Sequence, residues 1–170
     1  VTNCVMVESG MPMHAFDLNR MDGKKLVLRQ ASKGEKFTTF DKIELELTPE
    51  DCVFASENGR VLGIAGVIGE IESGIHEDTT DILLECAGYD RVSIRKSMFR
   101  HKAMTDAGLR HSHDLSSSLC DYALQRAIDL IIELACDGNS NSVQGIDDQY
   151  PNPEQNREIT FDPNEVTRLG

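Results

Sequence analysis

Turn residues cut residues 25–65 into short pieces, and that punctuation restricts the fold more than any other feature of the chain. The runs at 25–31, 36–40, 43–47, 52–55 and 61–65 are separated by Lys33-Gly34, Asp41-Lys42, Thr48-Pro49-Glu50-Asp51 and Asn58-Gly59. Each run is too short for a stable helix and carries β-branched or aromatic residues, so they read as strands joined by turns. Asn58-Gly59 marks the clearest hairpin. Residues 2–9 read as the last turns of a helix ended by Gly10. Asp90 stands where an N-cap is needed for a helix reaching His101. Asp114 stands likewise before a longer helix ending near Cys136, in which Leu115, Leu119, Ala123, Ala127, Leu130, Ile131 and Leu134 share one face. Residues 143–146 and 157–161 read as late strands on either side of a Tyr150-Pro151-Asn152-Pro153 linker, and Asp162-Pro163-Asn164 opens a final helix. Strands followed by helices predict an α+β domain, with mixed or antiparallel, sandwich-like sheets and two or three helices packed outside. The predicted domain covers residues 1–150, and 151–170 form a linker and the first strand and helix of a following domain.

Composition removes several function classes. With 170 residues, 39% hydrophobic and no Trp, the chain suits one soluble domain with an aliphatic core. No apolar run approaches the length of a membrane span. The five cysteines are odd in number and none pair at zinc-knuckle or redox spacing, which fits free thiols in a reducing cytoplasm. The chain opens at Val1 rather than Met and stops where a helix has just begun, so both ends read as cuts in a longer chain.

The net charge of −12 opposes a dedicated nucleic-acid-binding domain, but the charge is unevenly placed. Residues 91–113 hold six Lys or Arg against Asp106 alone, a local +5 that leaves −17 on the rest. Such a run is either a solvated face or a surface near phosphate, and Arg91, Arg95, Arg100, Lys102 and Arg110 are its candidate contacts.

Three stretches carry residues suited to a site. Gly10-Met11-Pro12-Met13-His14-Ala15-Phe16-Asp17 reads as a bent connector presenting one His among apolar neighbours, either a buried His satisfied by backbone or a pocket wall. The Gly-rich turn from Gly63 to Gly69 lacks the Lys-Ser/Thr ending of a phosphate loop. It is either a tight link between strands or a place of close ligand approach. Glu85 interrupts the apolar run Ile82-Leu83-Leu84-Glu85-Cys86-Ala87. It either faces solvent on an alternating strand or is a buried acceptor with a partner. His111-x-His113 does not read as a metal site, because residues two apart face the same way only on a strand and spacing supplies no further ligand.

Thr2-Asn3, Gly10 to Asp17, Asp81 to Ala87 and Thr105-Asp106-Ala107 occur in the order and spacing of one family. The chain resembles the central tRNA-editing module of the beta subunit of bacterial phenylalanyl-tRNA synthetases, from Thr2 to about Gly138 and again over 157–170. The resemblance implies hydrolysis of mischarged Tyr-tRNA(Phe). In that role Glu85 would grip the tyrosine hydroxyl, and His14 would place the ester or the attacking water. Thr105 would bond the substrate, Ala107 would leave room for it, and Thr2, Pro12, Gly66 and Gly69 would form walls. It implies tRNA(Phe) and an alpha subunit as partners in a cytoplasmic heterotetramer. ATP and Mg would serve ligation elsewhere in that enzyme, with no cofactor or metal in this segment. The alternative is a non-catalytic tRNA-binding or scaffold module of the same subunit whose editing has decayed. Two departures bear on this. The family usually continues Thr-Asp-Ala with Ser-x-Arg-aromatic-Glu-Arg-Gly, where this chain has Gly108 to Asp114. A Gly pair is here Gly69-Glu70, which predicts a bulkier, more acidic wall.

Overall fold

The computed structural model describes residues 1–151, 153 and 158–169. An opening helix α1 (Thr2–Ser9) ends at Gly10, whose φ of 85° is left-handed and whose N–H caps Met6 O. Among the described residues eight strands follow: β1 (His14–Asp17), β2 (Val27–Gln30), β3 (Lys36–Thr38), β4 (Glu44–Glu46), β5 (Cys52–Ala55), β6 (Val61–Ile64), β7 (Ile68–Gly69) and β8 (Ile82–Glu85). They form three antiparallel sheets, ordered β2-β5-β6-β7, β3-β4 and β1-β8. Then come α2 (Arg91–His101), α3 (Asp106–His111), α4 (Leu119–Ala135) and α5 (Pro163–Leu169). The fold is α+β, with five helices among the described residues.

Apolar burial ties the sheets to the helices in three clusters. Val53, Val61, Ile64 and Val67 pack with Phe37 and Leu47 against Ile94 and Met98 of α2. Phe16 of β1 meets Phe54 and Leu62 of the large sheet, and Val5 and Met11 are covered by Ala123 and Ala127 of α4. A polar anchor lies between sheet and helix. Asp51, fully buried, accepts from Ser97 Oγ (2.6 Å) and from the N–H and hydroxyl of Thr48 (2.9 and 3.0 Å), and lies 2.8 Å from His101 Nε2 and against Arg100. Burial raises the Asp51 pKa, but bonds from Ser97, Thr48 and His101 outweigh it and hold the group at about 2.

Five expectations are corrected. The segment from His14 to Asp17 is a strand rather than a connector, because β8 lies beside it to complete its ladder. The long helix starts after Ser118, not Asp114. Asp114 has a left-handed φ of +65° and lies four residues ahead of the observed cap, Ser118, and the separate short helix α3 takes up residues before it. The face of that helix also stops short of Leu134, which is 70% exposed. Residues 143–146 form no strand; Val143 and Ile146 are exposed and have no apolar face to bury. Of the other late strand, residues 158–161 are not strand and Arg157 lies outside the described residues.

Candidate functional site

The β1–β8 ladder places His14 directly opposite Glu85. Opposed residues on an antiparallel pair have Cβ atoms about 5 Å apart, so two groups remote in sequence share one wall. Both line a cavity of about 70 Å³ with Pro12, Phe16, Phe54, Gly66, Gly69, Ala107 and His111. Of the residues expected at the site, His14, Glu85, Pro12, Gly66, Gly69 and Ala107 converge there.

Thr2 and Thr105 do not line this cavity. Thr2 opens α1. Thr105 is the N-cap of α3: its hydroxyl accepts from Gly108 N–H (3.0 Å) and donates to Val67 O (2.6 Å). It therefore fastens α3 to the Gly-rich turn instead of presenting a free hydroxyl. Glu70, expected to make a wall acidic, turns away and is held by Arg60 at 2.8 and 3.0 Å.

The cavity is electrostatically unusual. Burial lowers the His14 pKa to about 4, so the imidazole is neutral at pH 7. Its Nε2 is buried with no hydrogen-bond partner among the described residues. Phe16 packs edge-on to it at 4.4 Å and Phe40 lies 5.7 Å away. Gly69 is required here by space: a Cβ on it would lie 2.6 Å from His14 Cε1 and 2.7 Å from Phe40 Cε2. Burial moves Glu85 the other way, up to about 7, against the opposing effect of a 2.5 Å hydrogen bond from Tyr89 Oη. A group poised near neutrality in a cleft is a mark of functional sites.

Two participants escaped the sequence reading. His111 of α3 is 3% exposed, its pKa lowered to about 4 by burial, and its ring meets Tyr89 edge-on at 4.8 Å. His113 is exposed, so the two histidines do not face one centre. Tyr89 stands four residues beyond Glu85, and only its place just ahead of the Asp90 cap hinted that it would be held. The cavity lining contains no Ser, Thr, Cys or Lys, so it offers no ordinary nucleophile of those types.

The basic segment divides. Arg91, Arg95 and Arg100 line a separate groove of about 640 Å³ along α2, with Lys96 and the 60% exposed Phe99. Arg100 is nevertheless engaged by Asp51 and Glu50, so its charge is already neutralised. Lys102 ends α2 in a left-handed conformation, and neither it nor Arg110 lines the groove. No helix of the described residues is long and apolar enough to cross a membrane.

The B3/4 domain family model matches residues 1–136. The chain belongs to that family. It is 37% identical over 153 residues to the phenylalanine–tRNA ligase beta subunit of Porphyromonas gingivalis (strain ATCC BAA-308 / W83), covering 90% of this chain and 18% of that protein. It is 40% identical over 156 residues to the beta subunit of Aliivibrio fischeri (strain ATCC 700601 / ES114), with 92% and 19% covered. The match to that of Bifidobacterium longum (strain NCC 2705) is 38% over 178 residues, with 99% and 19% covered. This B3/4 domain thus spans about a fifth of the length of the curated relatives it matches, and it corresponds to a fragment of a phenylalanine–tRNA ligase beta subunit.

Proposed function

We propose that this B3/4 domain hydrolyses mischarged Tyr-tRNA(Phe) within a cytoplasmic enzyme that joins phenylalanine to tRNA(Phe) using ATP and Mg. Its partners would be tRNA(Phe), with Arg91 and Arg95 nearest its phosphates, and an alpha subunit carrying the synthetic site. The observation that carries the reading is the pairing of His14 with Glu85 at one cavity wall.

Phenylalanine and tyrosine differ by one hydroxyl. A site shaped for the apolar ring rejects the hydroxylated isostere by only about a hundredfold, whereas a site that must hydrogen-bond the hydroxyl rejects the analogue lacking it by about 10⁴–10⁵. Glu85 supplies such an acceptor in an aromatic cage. With no nucleophile of the usual kinds in the lining, the ester would be cleaved by water. The neutral His14 Nε2, unpartnered among the described residues, is suited to hold that water or the ester.

Two observations favour the second reading, a tRNA-binding scaffold with decayed editing. Thr105 is engaged in holding α3, and 70 Å³ is well below the roughly 150 Å³ that accommodates a benzene ring. Editing therefore requires the cavity to open around the aromatic ring. In the intact ligase, Glu85→Ala is expected to lower Tyr-tRNA(Phe) deacylation by at least tenfold. Equal deacylation by variant and wild type would leave the scaffold reading standing.

A further inference from the structure

Tyr89 holds the carboxylate that the proposed reaction depends on. Its hydroxyl donates to Glu85 Oε1 at 2.5 Å, and among the described residues the Glu85 carboxylate takes no other hydrogen bond. The phenol ring lies over Gly66, where a Cβ would come within 2.7 Å of Tyr89 Cδ2. It stands edge-on to His111 at 4.8 Å and to Phe54 at 6.5 Å. It also packs against two of the three apolar clusters, so it has the setting of a core residue rather than of a side chain free to swing. Glu85 lines the cavity and Tyr89 does not.

We infer that Tyr89 is a positioning residue for the acceptor: it occupies one oxygen of Glu85 and leaves the other as the group an incoming phenol hydroxyl must satisfy. This rests on the proofreading reaction proposed above and adds to it the residue that sets specificity. A carboxylate with no fixed partner turns about its last torsion and offers either oxygen in any direction. With one oxygen taken by a core-anchored donor, the second has a defined place. The same bond favours the ionised form, opposing the burial that pushes Glu85 up to about 7. The distinction matters because a buried charge left unpaired costs more than a neutral carboxyl left unpaired, so the ionised form demands the ligand hydroxyl more strictly. The groups facing Glu85 are Tyr89 itself, His14 across the ladder, His111 beyond the Tyr89 ring, and the thiols of Cys86 and Cys120.

The test is the pH profile of Tyr-tRNA(Phe) deacylation by the intact ligase between pH 6 and 9, corrected for spontaneous ester hydrolysis. Wild type is expected to gain activity through a midpoint near pH 7, where the acceptor ionises. Tyr89→Phe keeps the ring and removes the donor. Its midpoint is expected to move upward by about one pH unit, with activity approaching wild type on the alkaline side. Fluorotyrosine in place of Tyr89, nearly isosteric and a stronger donor, is expected to move the midpoint downward, and it keeps the question answerable if Tyr89→Phe does not fold. A uniform loss at every pH, or an unmoved midpoint in both replacements, overturns the assignment. Glu85→Gln separates this failure from that of the reaction itself. If Glu85→Gln keeps the wild-type rate and profile, the proofreading reading falls. If Glu85→Gln abolishes the profile while the Tyr89 replacements leave it alone, only the role of Tyr89 falls.

Discussion

Gly69→Ala offers a direct probe of the cavity because it adds one methyl group where the backbone needs no left-handed conformation. Gly69 is not among the glycines with positive φ, so alanine brings no backbone strain, and the whole effect comes from contact. The new Cβ would lie 2.6 Å from His14 Cε1 and 2.9 Å from His14 Nε2. Reaching an ordinary 3.4 Å contact means a retreat of the imidazole by the difference, 0.8 Å. Misplacing a catalytic group by about 1 Å costs about 10²-fold in rate, so deacylation of Tyr-tRNA(Phe) should fall by roughly that factor. Overpacking should cost about 1–3 kcal/mol of stability, measurable as a shift in the urea midpoint at unchanged slope. Gly145→Ala serves as the control, since nothing lies within 4 Å of its Cβ position. Deacylation by Gly69→Ala within threefold of wild type would refute the placement of His14 at the reacting ester.

Asp51→Ala is expected to destabilise the fold by about 3–5 kcal/mol, because it leaves the buried Ser97 hydroxyl and the His101 ring without their acceptor and removes one of the two carboxylates on Arg100. A loss below about 1 kcal/mol in urea unfolding would show that the anchor holds little. Stability should also depend on pH through three cavity groups. His14 and His111, lowered from 6.5 to about 4, bind more protons unfolded, so their contribution is lost as pH falls from 6.5 towards 4. Glu85, raised from 4.5 to about 7, holds its proton longer in the folded state and works in the opposite sense as pH rises from 4.5 to 7. Two against one gives a net gain of about 1.4 kcal/mol per pH unit between 4.5 and 6.5. Urea midpoints that stay flat or fall over that window would contradict the buried, neutral state of the two histidines.

Features encoded by neighbouring residues were legible in the sequence. Gly10 ends α1, the Asp90 side chain accepts from Ser93 N–H at the start of α2, and the turn at Asn58-Gly59 joins β5 to β6. Features that depend on a distant partner were not. A Gly, a Pro and a lone His made the segment before Phe16 look irregular, since nothing local announces that β8 will pair with it. Thr105-Asp106 did carry a local signal, a capping hydroxyl followed by an acid in the first turn, but its resemblance to a pocket motif drew attention from the helix it begins. The side of the strand on which Glu85 lies could not be settled by alternation, because its burial depends on Tyr89 and on the packing of Gly66 beneath that ring. The resemblance assembled most of the cavity wall; packing alone brought in Tyr89 and His111.

The selectivity demanded of this cavity indicates which property of Glu85 matters. Excluding phenylalanine by about 10⁴ corresponds to about 5.5 kcal/mol. A neutral hydrogen bond contributes about 0.5–1.5 kcal/mol net, and an unmade one to a buried neutral group costs about 1–3 kcal/mol. Neither suffices alone. The larger penalties belong to a charged acceptor left dry and unpaired, which on the proposed reading makes ionisation of Glu85, and not its shape, the source of discrimination. Glu85 is partly buried, which removes part of its water but also pushes the carboxyl towards its neutral form, up to about 7. The two requirements conflict unless a donor favours the charge without filling the site. Tyr89 meets that condition because it is attached to the fold, bonds one oxygen, and lies outside the cavity lining.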